Sequence, residues 1–154
     1  MMRIALLAAT TLGLAATALP ALAQADFGID AEQAIYDSIE TLHGDADGFD
    51  RIFADIQDAL GAEDIAALAV LAEYPLAIAA NGEVYDIIDT EDFVTYFDTI
   101  VLPGTYEAIL AQDYADLIVT GDGVGFADGA LWVTNICTDD NCAETYWAII
   151  AINN

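Results

Sequence analysis

Apolar positions recur along this chain with two periods, and the change from one to the other divides it. Ile35, Ile39 and Leu42 fall four and seven apart, as on one helix face. Asp30 with Gln33 has the form of a capping box and Gly44 supplies a stop, so a helix is predicted over 31–43. A polar link over 44–48 leads to Phe49, Ile52, Phe53, Ile56 and Leu60 at the same spacing, with Asp47 as the expected N-cap and Gly61 just past the end. The stretch 63–74 is rich in Ala and Leu with little polar face. It predicts a buried helix that stops at Pro75.

Past Pro75 the pattern shortens. Runs at 76–78 and 83–88 flank Asn81-Gly82, a dipeptide whose tolerance of positive φ suits a tight hairpin. Asp89 or Thr90 then caps a helix carrying Phe93, Tyr96, Phe97 and Ile100, and Pro103-Gly104-Thr105 breaks it before a short helix over 106–111. Glycines punctuate strand-like runs at 117–120, 124–126, 131–137 and 145–152, which predict an antiparallel meander. In the last run Tyr146, Ala148, Ile150 and Ile152 point one way and Trp147, Ile149 and Ala151 the other, so both faces are apolar. Helices cover one such face. The other must line a pocket, meet a second copy in a homodimer, or be wrapped by curvature of the sheet, although a fully buried central strand gives the same pattern. The expected fold class is α+β, N-terminal helices packed on a curved antiparallel sheet.

The first residues change where this protein is expected to work. Arg3, an Ala- and Leu-rich run over 4–19, Pro20 and Ala21-Leu22-Ala23 have the order of a secretory signal, so 1–23 is read as a cleaved signal peptide and 24–154 as a single domain. The apolar run falls short of the roughly 20 residues of a spanning helix, and no membrane anchor is expected in the mature chain. The expected location is the periplasm or the cell exterior. The 27 acidic residues all follow the signal, against Arg51 and no lysine, and the formal net charge of the whole chain is −25. Such a surface excludes phosphate backbones and anionic membranes, whose binding needs Lys and Arg. With 57% hydrophobic residues the chain folds nonetheless, and the charge serves solubility.

Candidate chemistry is sparse. Cys137 and Cys142 enclose Thr138-Asp139-Asp140-Asn141, a turn-forming stretch between two strands, and predict a structural disulfide in an exported protein. The stretch 43–48 echoes a calcium loop in its Asp-x-Asp-Gly, but registering it on Gly48 puts His43 and Ala54 where ligating carboxylates belong. No metal site and no cofactor are expected. His43, the one histidine, ends the first predicted helix, where it suits the dipole. The glycines of 121–125 resemble a phosphate cradle but precede a strand in an acidic setting, so they read as hairpin turns. A carboxylate in an apolar pocket remains the route to proton transfer. Tyr85, Tyr96, Tyr106, Trp132, Tyr146 and Trp147 are the candidate pocket-lining residues, although aromatic residues at these spacings are more often core.

The order of helices, hairpin, helices and closing meander resembles the nuclear transport factor 2-like (cystatin-like) fold, a curved sheet wrapped round helices into a cone. More specifically, Glu73-Tyr74-Pro75-Leu76, the runs 93–100 and 123–133, the two cysteines and the terminal run 149–154 resemble a group of small exported bacterial proteins of unknown function. The resemblance implies the fold and the compartment and carries no catalytic residues. Some members of the wider fold are isomerases or cyclases using a carboxylate and a tyrosine, and many are binding or dimerisation modules. Three functions are compatible with these residues. The first is a non-catalytic binding module for a small apolar ligand or a protein partner. The second is a cone-pocket enzyme, and the third an inhibitor or immunity protein docking on a basic target.

Overall fold

The computed structural model describes residues 27–154, and the expected signal over 1–23 lies outside them. Helix α1 is Phe27–His43. It begins before the predicted capping box, so Asp30 sits in the first turn, where a carboxylate complements the helix dipole, and Gln33 Nε2 donates to Asp37 Oδ1 at 2.8 Å. Helix α2, Ala46–Gly61, is capped by Asp45 rather than Asp47: Asp45 Oδ1 accepts from Gly48 N at 3.0 Å. A Cβ at Gly48 would stand 1.9 Å from that carboxylate, so only glycine leaves room for the cap. Asp47 instead accepts from the Tyr36 hydroxyl at 2.9 Å. The residues that echoed a calcium loop thus serve a helix start.

The predicted helix over 63–74 is corrected. Only Ile65–Ala69 is helical (α3, capped by Asp64), and strand β1, Ala72–Ala80, runs straight through Pro75. Sheet pairing overrides the helical propensity of the Ala- and Leu-rich stretch. The Tyr74–Pro75 peptide bond is cis, and the pairing of β1 with its neighbour is irregular between Ala72 and Ala77, around the residue that has no N–H to give. Asn81 and Gly82 then turn the chain with φ of 55° and 80° into β2, Glu83–Ile87, as the hairpin reading predicts. Asp89 caps α4, Thr90–Ile100, by accepting from Asp92 N at 2.9 Å. Helix α5, Pro103–Leu110, starts at the proline expected to precede it, because the first helical turn tolerates a missing N–H.

Strands β3 (Ile118–Thr120), β4 (Gly123–Phe126), β5 (Leu131–Cys137) and β6 (Thr145–Asn153) form the antiparallel meander. The six-stranded sheet has the order β2-β1-β6-β5-β4-β3. It is mixed where a wholly antiparallel sheet was expected: β1 runs parallel to β6, because the chain crosses through α4 and α5 before the meander returns to β1. A bulge at Ile150 separates the pairs Trp132↔Ala151 and Val133↔Ile149. It moves Ile152 to the face of Trp147 and Ile149, and all three are buried there. The two apolar faces expected of this strand therefore resolve into one core-facing row and one row of Tyr146, Ala148 and Ala151.

The described residues are α+β, with five α-helices and a mixed open sheet. Phe49 centres the core under β4 to β6, its ring 5.2 Å from that of Trp147 and 6.2 Å from that of Phe126. A second cluster joins Phe93, Phe97 and Tyr106. The last residue ties the hairpin to the helices: Asn154 Nδ2 donates to Ala79 O and Ile100 O, and its Oδ1 accepts from Leu102 N. Cys137 and Cys142 form the disulfide across the mouth of β5 and β6. Inside that loop Asp139 Oδ1 accepts from Asn141 N and Ala143 N, which is turn chemistry. Among the described residues no helix is long and apolar enough to cross a membrane.

Candidate functional site

The tight turn at Asn81-Gly82 projects β2 from the body of the sheet, and the cap at Asp89 starts α4 two residues after β2 ends. Between them lies a groove of about 510 Å³. Val84, Tyr85, Asp86 and Ile87 line it from the hairpin, and Asp92, Tyr96, Thr99 and Ile100 from the helix. Val84 is 69% exposed, Tyr96 51% and Tyr85 39%, a concentration of apolar and aromatic surface beside two carboxylates. The Tyr85 hydroxyl donates to Glu83 Oε2 at 2.9 Å, and that bond holds the phenol above its ordinary pKa.

The other candidate residues lie elsewhere. Tyr106 lines a groove of about 460 Å³ with Phe97, Val101 and Pro103, its hydroxyl bonded to Leu60 O. Tyr146 and Trp147 border a groove of about 240 Å³ that contains Arg51, Asp45 and Asp55. Trp147 is itself core, its Nε1 donating to Asp45 O at 3.0 Å, while Tyr146 donates to Glu73 Oε2. Trp132 stands opposite Gly125 and Ala151, on the sheet face turned away from the core. Two pairs of the six thus share a groove, Tyr85 with Tyr96 and Tyr146 with Trp147, and of these four Trp147 is core. Sequence reasoning passed over Val84, Ile87, Asp92 and Ile100; of these, Val84 beside the Asn-Gly turn carried the available signal, an apolar residue where a hairpin end meets solvent.

His43 is placed by structure. Its Nε2 donates to Thr120 O at 2.9 Å, and its ring meets Trp147 edge-on, so it fastens α1 to β3. Tyr36 and Tyr114 share a groove of about 350 Å³ with Asp50, which accepts from the Tyr114 hydroxyl at 2.7 Å. Burial first and this bond second push Tyr114 well above the ordinary phenol range. Among the described residues no charged or polar residue is wholly buried, although Asn135 Oδ1 is a buried atom without a hydrogen-bond partner, and no cluster of three His, Cys, Asp or Glu is spaced to hold a metal ion. Phe49, Phe93 and Phe126 are the largest fully buried side chains.

No family model matches this sequence, and neither a curated protein nor a solved structure matches it.

Proposed function

We propose that the mature chain is an exported, non-catalytic binding module whose working surface is the groove between β2 and α4, and that it takes a basic protein partner. The observation that carries this reading is the composition of the groove: Tyr85 and Tyr96 offer apolar and π surface, Asp92 supplies negative charge, Val84 and Asp86 border it along the strand edge, and no base lines it. Arg51 belongs to another groove. Aromatic faces beside carboxylates favour a cationic side chain with an apolar stem, through cation–π attraction and charge together. Three of the residues along it, Val84, Tyr85 and Tyr96, are exposed, which suits contact with part of a larger partner. The lack of a buried carboxylate among the described residues speaks against proton transfer.

Export rests on the signal-like residues 1–23 and gains weight from the disulfide. The order of elements, with a bulge that curves β6, supports a nuclear transport factor 2-like cone. The test is calorimetric titration with an eight-residue peptide alternating Lys and Val and with a second alternating Glu and Val. The basic peptide should bind, with affinity falling roughly tenfold as salt rises from about 0.05 to 0.5 M, and the acidic one should not bind. Binding of a neutral apolar probe in place of the basic peptide would transfer the site to a small ligand.

A second reading, a homodimer, has its own observation. The sheet face turned from the core carries Ala77, Ala79, Thr134, Ile136, Ala148 and Ala151, and its acids, Glu73 and Asp86, lie at the rim. For a chain of net charge −25 this uncharged surface is where two copies meet with least repulsion. Salt separates the readings by sign: it strengthens such a dimer and weakens binding of a basic peptide.

A further inference from the structure

We infer that β2 receives an extended, basic segment of the partner as an added strand. This rests on the groove reading above and supplies its mode of recognition. Strand β2 is the edge of the sheet, paired on one side with β1 in unbroken register from Ala80↔Glu83 to Leu76↔Ile87. In a two-residue hairpin the residues flanking the turn form a hydrogen-bonded pair, and such pairs recur at every second position. Glu83, Tyr85 and Ile87 therefore face β1 with their backbone groups, and the N–H and C=O of Val84 and Asp86 point outward. Among the described residues, no backbone group outside β1 bonds to either.

Exposed edges invite pairing, and proteins blunt them by short strands, bulges, proline, lysine or a covering element. The opposite edge follows this rule: β3 has three residues and α1 lies against it, with His43 bonded to Thr120. Strand β2 has five residues, no proline, no bulge and no lysine, and four of its five residues are exposed. Its guards are Glu83 and Asp86. These acids repel a second copy of so acidic a chain and attract a base, so charge selects the occupant. An added strand would set alternate side chains over Tyr96 and Asp92 of α4, which fits an alternation of basic and apolar residues.

The experiment uses the mature chain, the Lys/Val peptide, and two analogues of that peptide N-methylated at every second residue in opposite phase. Strand addition predicts that one analogue binds at least tenfold more weakly than the parent while the other keeps its affinity. It also predicts that hydrogen exchange of the Val84 and Asp86 amides slows at least tenfold on binding. If both analogues bind like the parent and those amides are unchanged, strand addition is overturned and the groove reading stands. If no form of the peptide binds, the groove reading falls with it. If the two amides become protected with rising concentration of the chain alone, the occupant is a second copy and the choice of a basic partner is wrong.

Discussion

At one end of the sheet, β3 lies under α1, and the aromatic side chains of Phe49, Phe53, Tyr114 and Phe126 fill the space between the helices and the neighbouring strands. At the other end, β2 projects from its turn with Val84 and Tyr85 in solvent, and α4 stands beside it without closing over it. The first end has its apolar side chains matched to one another. The second leaves exposed apolar side chains and the outward backbone groups of Val84 and Asp86 without partners among the described residues. Stability is concentrated where the sheet is covered, and recognition is free to develop where it is open.

Alkaline pH gives the largest expected effect, because it reaches two half-buried phenols, Tyr114 at the covered end and Tyr74 in β1 beside Asp89. Burial, with Asp89 adding, pushes Tyr74 up to about 12, and Tyr114 is pushed further. A phenol whose pKa is raised in the folded state contributes stability that is present below its unfolded value near 10 and is lost as pH rises through its folded value. Spectrophotometric titration should show these two phenols ionising only from about pH 12 upward, together with loss of near-ultraviolet dichroism. Ionisation of all seven tyrosines near pH 10 with the fold intact would contradict the packing described.

Substitutions sharpen the contrast by degrees. Phe49→Ala removes a fully buried ring from the centre of the covered end and should destabilise the protein by about 3–5 kcal/mol in urea unfolding. Asp89→Ala removes the cap of α4 at the open end and should cost about 1 kcal/mol. Tyr96→Ala, half exposed on the groove wall, should change stability by less than about 0.5 kcal/mol. The same substitution should weaken the Lys/Val peptide roughly tenfold, which separates a binding residue from a structural one. Equal losses of stability at Phe49 and Tyr96 would erase the distinction between the two ends.

Local signals carried most of the architecture. Apolar spacing located α1, α2 and α4, Asn81-Gly82 located the first hairpin, and the glycines located the meander, because each depends on residues within one or two turns of each other. What the sequence hid was non-local. The stretch 63–74 is a good helix by composition, and only pairing of β1 with β6 draws its end into a strand. The bulge at Ile150 changes which residues of β6 face the core, and it is set by register with β5. For the same reason six aromatic candidates did not separate in advance: Trp147 and Tyr146 are neighbours in sequence, yet one is core and the other rim. Tyr85 and Tyr96 line one groove because α4 returns beside the hairpin, a placement that no spacing encodes.

Binding at the open end is tested most directly by a residue-by-residue map of the Lys/Val peptide on the mature chain, read as amide chemical-shift perturbation. The largest changes should cluster at Val84, Tyr85, Asp86, Asp92 and Tyr96, with the amides around Arg51 and Trp132 unmoved. Changes centred on Trp132, Thr134 and Ile136 would place recognition on the uncharged sheet face and contradict a binding edge at β2.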